Sequence, residues 1–236
     1  YNTHLAIVTV GLDEINPEML EKDIQIASLG TSNVNHIVGT PIIALGSPMG
    51  IGGSMDYGMV TAVSSQVTKV DTSYHILQTN ILGSQNSGGI LFNLSGQVVG
   101  VITNNQTNSD MKNVLTAYGI SELKKCIEKM SNGIKMAYLG ISGVDVTKEA
   151  YEEMQVPYGA YITEVAMDSP AMMAGIKQGD VLVGMNDRFI QSFSEYATQL
   201  LQMDVGETAH VTVMRQAQNE YKEMTFDIVL EEASKH

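Results

Sequence analysis

The sequence predicts a mainly β chain in two parts: a barrel or sandwich of short antiparallel strands, followed by a compact α+β domain. Three observations carry that expectation. Short β-rich runs separated by Gly-, Ser- and Asn-rich turns recur through the first part of the chain, the pattern of closed or stacked all-β folds. The first convincing helical periodicity arrives only at 121–130, where Leu123, Ile127 and Met130 share a face. Beyond it, strands and short helices alternate over about 100 residues, the size of one compact domain.

In order, the expected strands of the first part are residues 5–10, 41–45, 58–63, 75–78 and 97–103. The stretch 46–54, Gly-Ser-Pro-Met-Gly-Ile-Gly-Gly-Ser, is too rich in turn residues to be a regular element. Ser121 is a plausible N-cap for the helix, and Asn132-Gly133 is a stop signal. The domain boundary falls at 132–137, dividing the chain into 1–132 and 133–236. The second part reads as strand 141–146, helix 148–154, strand 160–165, helix 171–174, strand 180–185, helix 194–203 and strands 209–215 and 221–230.

Composition narrows the function. Of 236 residues, 44% are apolar and 17% charged, a balance that argues for a folded chain over a disordered one. The net charge of −13 excludes nucleic acid as a natural partner, because phosphate binding rests on clustered Lys and Arg. The densest basic stretch, Lys124, Lys125 and Lys129, reads as a solvated helix face. No run approaches the roughly 20 apolar residues of a membrane-spanning helix. The single cysteine, Cys126, leaves no internal disulfide and no Cys-based zinc cluster, and its apolar-periodic position makes it a core residue.

The most informative residues are Asn86-Ser87-Gly88-Gly89. A serine ahead of two glycines stands where the backbone turns tightly, so its Oγ can face a substrate carbonyl while nearby N–H groups converge on an oxyanion. Alone, Ser-Gly-Gly also describes an ordinary turn between strands. The flanks are more specific: a hydrophobic strand, the Asn93-Leu94-Ser95-Gly96-Gln97 hairpin, then Val98-Val99-Gly100-Val101-Ile102. With 41–50, 57–63 and 76–80 upstream, in order, these segments resemble the nucleophile-bearing part of HtrA/DegP-type serine proteases. The resemblance implies a trypsin-like antiparallel β-barrel, namely the second barrel plus a strand of the first, with Ser87 as nucleophile. It further implies about 100 or more residues ahead of Tyr1, including the His base, on grounds of domain size.

Two positions depart from the family's pattern. The segment 2–8 matches the strand on which the family carries its catalytic Asp, and His4 stands in that place. A neutral imidazole brings no negative charge to hold and stabilise a His base. Replacing the acid of such a triad by an amide costs about 10⁴-fold in kcat. The loop 78–87 is one residue shorter than the family's, and Gln85 occupies a place where Gly would present its N–H. The oxyanion candidates are therefore Gln85, Asn86 and Ser87, in a loop whose hole is not assured. Two activities follow: a serine endopeptidase, or a pseudoprotease that senses or scaffolds peptides.

In the second part, residues 136–141 resemble the carboxylate-binding loop of HtrA-type PDZ domains. Segment 168–182 matches their Ser-Pro-Ala-x-x-Ala-Gly-hydrophobic-x-x-Gly-Asp signature. Those signature residues are mostly scaffold: Ser169 as a cap, Pro170 in the first turn, Gly175 at the helix end. The resemblance implies peptide binding through Tyr138, Leu139, Gly140 and Ile141, with Leu200 or Leu201 lining a side-chain pocket or simply packing in the core. As a whole it implies an extracytoplasmic quality-control protease without cofactor that forms homo-oligomers. Its partners would be unfolded or C-terminal peptide segments.

Overall fold

Two hydrophobic cores with no residue in common organise the chain. The computed structural model describes residues 5–22, 26–64, 66–103, 113–218 and 220–233. Contacts divide the described residues into two compact units: one lies within 7–67 and 74–131, and the other comprises 132–233 together with 68–73 and residues 5 and 6.

The first unit is a closed antiparallel barrel in the order β1 (Pro41–Ser47), β2 (Ser54–Val63), β5 (Ile76–Leu82), β8 (Val114–Gly119), β7 (Val98–Thr103) and β6 (Gly88–Asn93). Closure leaves no edge strand in this sheet, and so no row of unpaired main-chain groups for another strand to join. Side-chain alternation explains the choice of strand. In β1, Ile42 and Ala44 point into the core while Leu45 faces out, and in β8 Leu115 and Ala117 are fully buried. Short elements precede the barrel: a 3-10 turn (Leu12–Glu14), α1 (Pro17–Lys22) and α2 (Val34–Ile37).

Several boundaries differ from the sequence reading, each for a reason of pairing. Strand β2 starts at Ser54, the last residue of the stretch expected to be irregular, because Leu45 and Ala44 supply ladder partners to Met55 and Asp56. Residues 5–10 form no strand; Val8 is 86% exposed, and without a partner ladder an extended run is only a coil. The helix α3 (Ile120–Ser131) begins one residue before Ser121, so Ser121 does not cap it. Instead Ser32 and Ser121 exchange hydrogen bonds, each N–H donating to the other's Oγ at 2.9 Å, so the first helical turn is satisfied by a residue 89 positions away. Cys126 is buried on this helix, as expected, and burial pushes its thiol up.

The second unit is built on a sheet in the order β10 (Ile141–Asp145), β11 (Ala160–Val165), β12 (Val181–Met185), β14 (Thr208–Ala217) and β15 (Glu220–Val229), with β13 (Arg188–Phe189) pairing β12. Helices α4 (Lys148–Met154), α5 (Pro170–Ala174) and α6 (Phe193–Gln202) alternate with these strands, and β9 (Ala137–Tyr138) pairs β16 (Glu231–Glu232). The signature 168–182 is scaffold: Ser169 Oγ accepts from Met172 N–H at 3.2 Å, and Gly175 ends α5 at φ +96°. Asp180, 1% exposed, takes a bidentate pair from Arg215 at 2.7 Å on both oxygens. Such a buried carboxylate is tolerated because it is fully paired.

A small hairpin was not legible as strands: β3 (Val67–Lys69) and β4 (Thr72–Tyr74), joined at Val70-Asp71. Its tip, 68–73, groups with the second unit.

Gly46 and Gly89 lie opposite each other across β1 and β6, at φ +125° and +124°. A Cβ on Gly89 would sit 2.0 Å from the Leu45 carbonyl oxygen. Gly89→Ala is therefore expected to destabilise the barrel by about 2–3 kcal/mol, read as a lowered denaturant midpoint for the transition that reports on Tyr74 and Tyr118.

Candidate functional site

Two loops gather the chemistry read from the sequence, one in each unit. In the barrel, residues 84–87 form a tight turn leading into β6, so Ser87 sits at the mouth of the strand that Gly88 and Gly89 allow to approach β1. Ser87 is 7% exposed. Its hydroxyl donates to the Pro48 carbonyl at 2.5 Å and accepts from Ser84 N–H at 2.7 Å. The main chain closes on itself as well. Ser87 N–H donates to the Ser84 carbonyl at 3.1 Å, and Asn86 N–H to Ser84 Oγ at 3.2 Å.

The chemistry of this arrangement is plain. A carbonyl oxygen accepts the hydroxyl hydrogen bond but cannot take the proton, so it does not activate Oγ. Two of the three oxyanion candidates, Asn86 and Ser87, spend their N–H groups inside the turn. Gln85 and Asn86 are exposed at the tip, and neither adopts a positive φ. His4 lies outside the described residues, as does His236. His36 is exposed on α2; His75 pairs with Glu122, and His210 with Asp227 at 2.5 Å. None of these three is a hydrogen-bond partner of Ser87.

The second loop is an anion seat. Leu139, Gly140 and Ile141 present three successive N–H groups to one carboxylate. Gly140 makes the convergence possible by turning the chain at φ +92°. The carboxylate belongs to Asp71. Its Oδ2 accepts from Leu139 at 2.8 Å and Gly140 at 2.7 Å, and its Oδ1 from Ile141 at 3.0 Å and from the Tyr196 hydroxyl at 2.5 Å. Burial pushes the Asp71 carboxyl above the usual range, and the Tyr196 hydroxyl and the three N–H groups pull it back down. The same burial, with the Asp71 charge beside it, raises Tyr138.

The side chains of this loop have a different task from its main chain. Leu139, Ile141 and Leu200 are all buried in the core of the second unit, and Leu201, one position on in α6, is half-buried. Tyr138 is 9% exposed beside them. Asp71 and Tyr196 were not singled out in the sequence: they stand 125 positions apart, with no motif between them.

Residues 137–228 match the model of the PDZ domain family, and residues 2–101 that of the trypsin-like peptidase domain. The chain is 29% identical over 249 residues to the serine protease Do-like HtrA of Bacillus subtilis, covering 98% of this chain and 53% of that protein. To the periplasmic serine endoprotease DegP of Salmonella typhimurium it is 30% identical over 204 residues, covering 84% and 42%. It thus spans about half the length of the curated relatives it matches. Among solved structures it is similar to the HtrA-type protease AlgW with decapeptide, with TM-score 0.62, 20% identity, and 87% of this chain on 64% of that one. It is also similar to the serine endoprotease from Yersinia pestis, with TM-score 0.54, 23% identity, and coverage of 89% and 68%.

The loop geometry also sets what Gly140 tolerates. A Cβ there would lie 2.2 Å from Ser169 Cβ, in a backbone conformation that side chains resist. Gly140→Val is thus expected to lower the melting temperature of the second unit, and not to act on ligand binding alone. Circular dichroism of the variant checks this, with unchanged melting as the contrary result.

Proposed function

Since the chain belongs to the HtrA/DegP type of trypsin-like serine proteases with a C-terminal PDZ domain, we propose that it is the peptide-reading and nucleophile-bearing portion of an extracytoplasmic quality-control protease. Its second unit binds carboxylate-ended or unfolded peptide segments, and Ser87 is the nucleophile of its barrel. The observation that carries the reading is the convergence of the Leu139, Gly140 and Ile141 N–H groups on a carboxylate. Such a seat fits a peptide C-terminus, and the neighbouring strand β10 offers main-chain groups for β-augmentation. The relatives named periplasmic support the location, and no helix among the described residues is long and apolar enough to cross a membrane. Assembly into homo-oligomers is part of the same proposal.

A pseudoprotease is the second reading, favoured by specific observations: His4 at the family's acid position, and a turn at 84–87 in which the Ser84, Asn86 and Ser87 N–H groups are spent internally. For the endopeptidase reading, the turn has to open before Ser87 can work, since its hydroxyl is engaged by Pro48 and Ser84.

Two measurements test these readings. A peptide with a free carboxylate and an apolar last residue is expected to bind with about micromolar affinity or weaker. Its C-terminal amide should bind about tenfold or more weakly, because hydrogen bonds to a charged group contribute ~1.5–3 kcal/mol. Equal affinities in titration calorimetry would remove the carboxylate reading. For the barrel, in the full-length protein with an upstream His base present, casein cleavage and fluorophosphonate labelling are expected near background and to rise in His4→Asp, because a triad carboxylate acts through that base. Strong cleavage abolished by Ser87→Ala, with His4 in place, selects the endopeptidase.

A further inference from the structure

The anion seat already holds a carboxylate from its own chain. Asp71 presents more than a charge there: its N–H donates to the Ile141 carbonyl at 2.8 Å, while its side chain takes the Leu139, Gly140 and Ile141 N–H groups. A peptide's last residue offers the same pair of contacts, one N–H for the strand edge and one carboxylate for the loop. Asp71 supplies both from a single residue, with the side-chain carboxylate standing in for the main-chain one. It can do so because it takes the left-handed conformation, φ +56°, at the tip of the β3–β4 hairpin. Aspartate tolerates that region better than most residues.

Resting on the reading of 137–228 as a peptide-carboxylate site, we propose that Asp71 is a built-in ligand that keeps the seat closed. An incoming C-terminus has to displace it, and Tyr196 is a fourth carboxylate donor that serves both. The Tyr196 hydroxyl lies on α6 and reaches Oδ1 at 2.5 Å, completing two donors on each oxygen.

The docked tip is held firmly enough to compete and loosely enough to leave. A tethered group acts at an effective concentration on the order of millimolar, so it outcompetes dilute peptide even with a modest intrinsic contact. Against it stands the burial of a carboxylate, which is costly even when paired. The two residues after Asp71 add to that cost. Thr72 Oγ1 and Ser73 Oγ are buried and find no hydrogen-bond partner among the described residues. Release of the tip returns all three groups to water, while the peptide's carboxylate satisfies the loop.

The test measures binding of a fluorescein-labelled decapeptide ending in Val-Val-Leu, free acid, to the whole chain. Asp71→Asn keeps the shape and removes the charge; Asp71→Ala removes the mimic altogether. Both are expected to bind the peptide at least tenfold more tightly than the unaltered chain. Adding Tyr196→Phe to Asp71→Asn should then cost about tenfold or more, the worth of one hydrogen bond to a charged group. If Asp71→Ala fails to fold by circular dichroism, Asp71→Asn decides. Hydrogen exchange on the unaltered chain decides without any variant: saturating peptide should speed exchange of the Asp71 amide. Equal affinity in the unaltered chain and the Asp71 variants, or an unchanged Asp71 amide, overturns the internal ligand while leaving the peptide reading intact. No binding in any form overturns the peptide reading, and the competition falls with it.

Discussion

A main-chain N–H turned away from regular structure still needs an acceptor, and this requirement shapes both loops that matter here. In the barrel, the turn at 84–87 answers it with its own atoms. Ser84 gives its carbonyl to Ser87 N–H and its hydroxyl to Asn86 N–H. In the second unit, Leu139, Gly140 and Ile141 cannot do this, because Gly140 directs successive N–H groups to one side of the chain. An acceptor with two oxygens is the natural partner, and a carboxylate fills the place.

The contrast explains why similar raw material yields different states. N–H groups satisfied within a turn are stable but unavailable, since using them on a substrate oxyanion first requires breaking the turn. N–H groups satisfied by an external carboxylate can be transferred to another ligand of the same chemistry without rebuilding the loop. The seat is therefore preorganised in the sense that lowers the cost of binding, whereas the Ser87 turn has its reorganisation still ahead of it. Ser87 is also held by its own two hydrogen bonds, from Ser84 N–H and to the Pro48 carbonyl.

Glycine placement ties these loops to their scaffolds. The pair Gly46 and Gly89 lets β1 and β6 cross closely beside Ser87, and Gly140 lets the seat lie against Ser169. Ser169 caps α5 as well, so a residue of the signature 168–182 packs directly against the carboxylate loop. The signature is thus part of what holds the loop in shape. That is why a residue that binds nothing can be as restricted as one that does.

Much of this was legible in the residues alone. Short β-rich runs between turn residues marked most barrel strands, and Ser169-Pro170 with Gly175 marked α5, because local backbone preference is written in nearby residues. Ser87 and the 138–141 loop were found through short motifs, for the same reason. Residues 5–10 looked like a strand and are not one, because an extended run needs a partner that its own sequence does not specify. Ser121 looked like a cap, but the satisfying hydroxyl comes from Ser32. Asp71 and Tyr196 lay beyond any local reading. Val70-Asp71 is an ordinary turn dipeptide, and Tyr196 an ordinary buried aromatic. Only folding brings them together at the loop, since a carboxylate finds its donors through space and leaves no pattern along the chain.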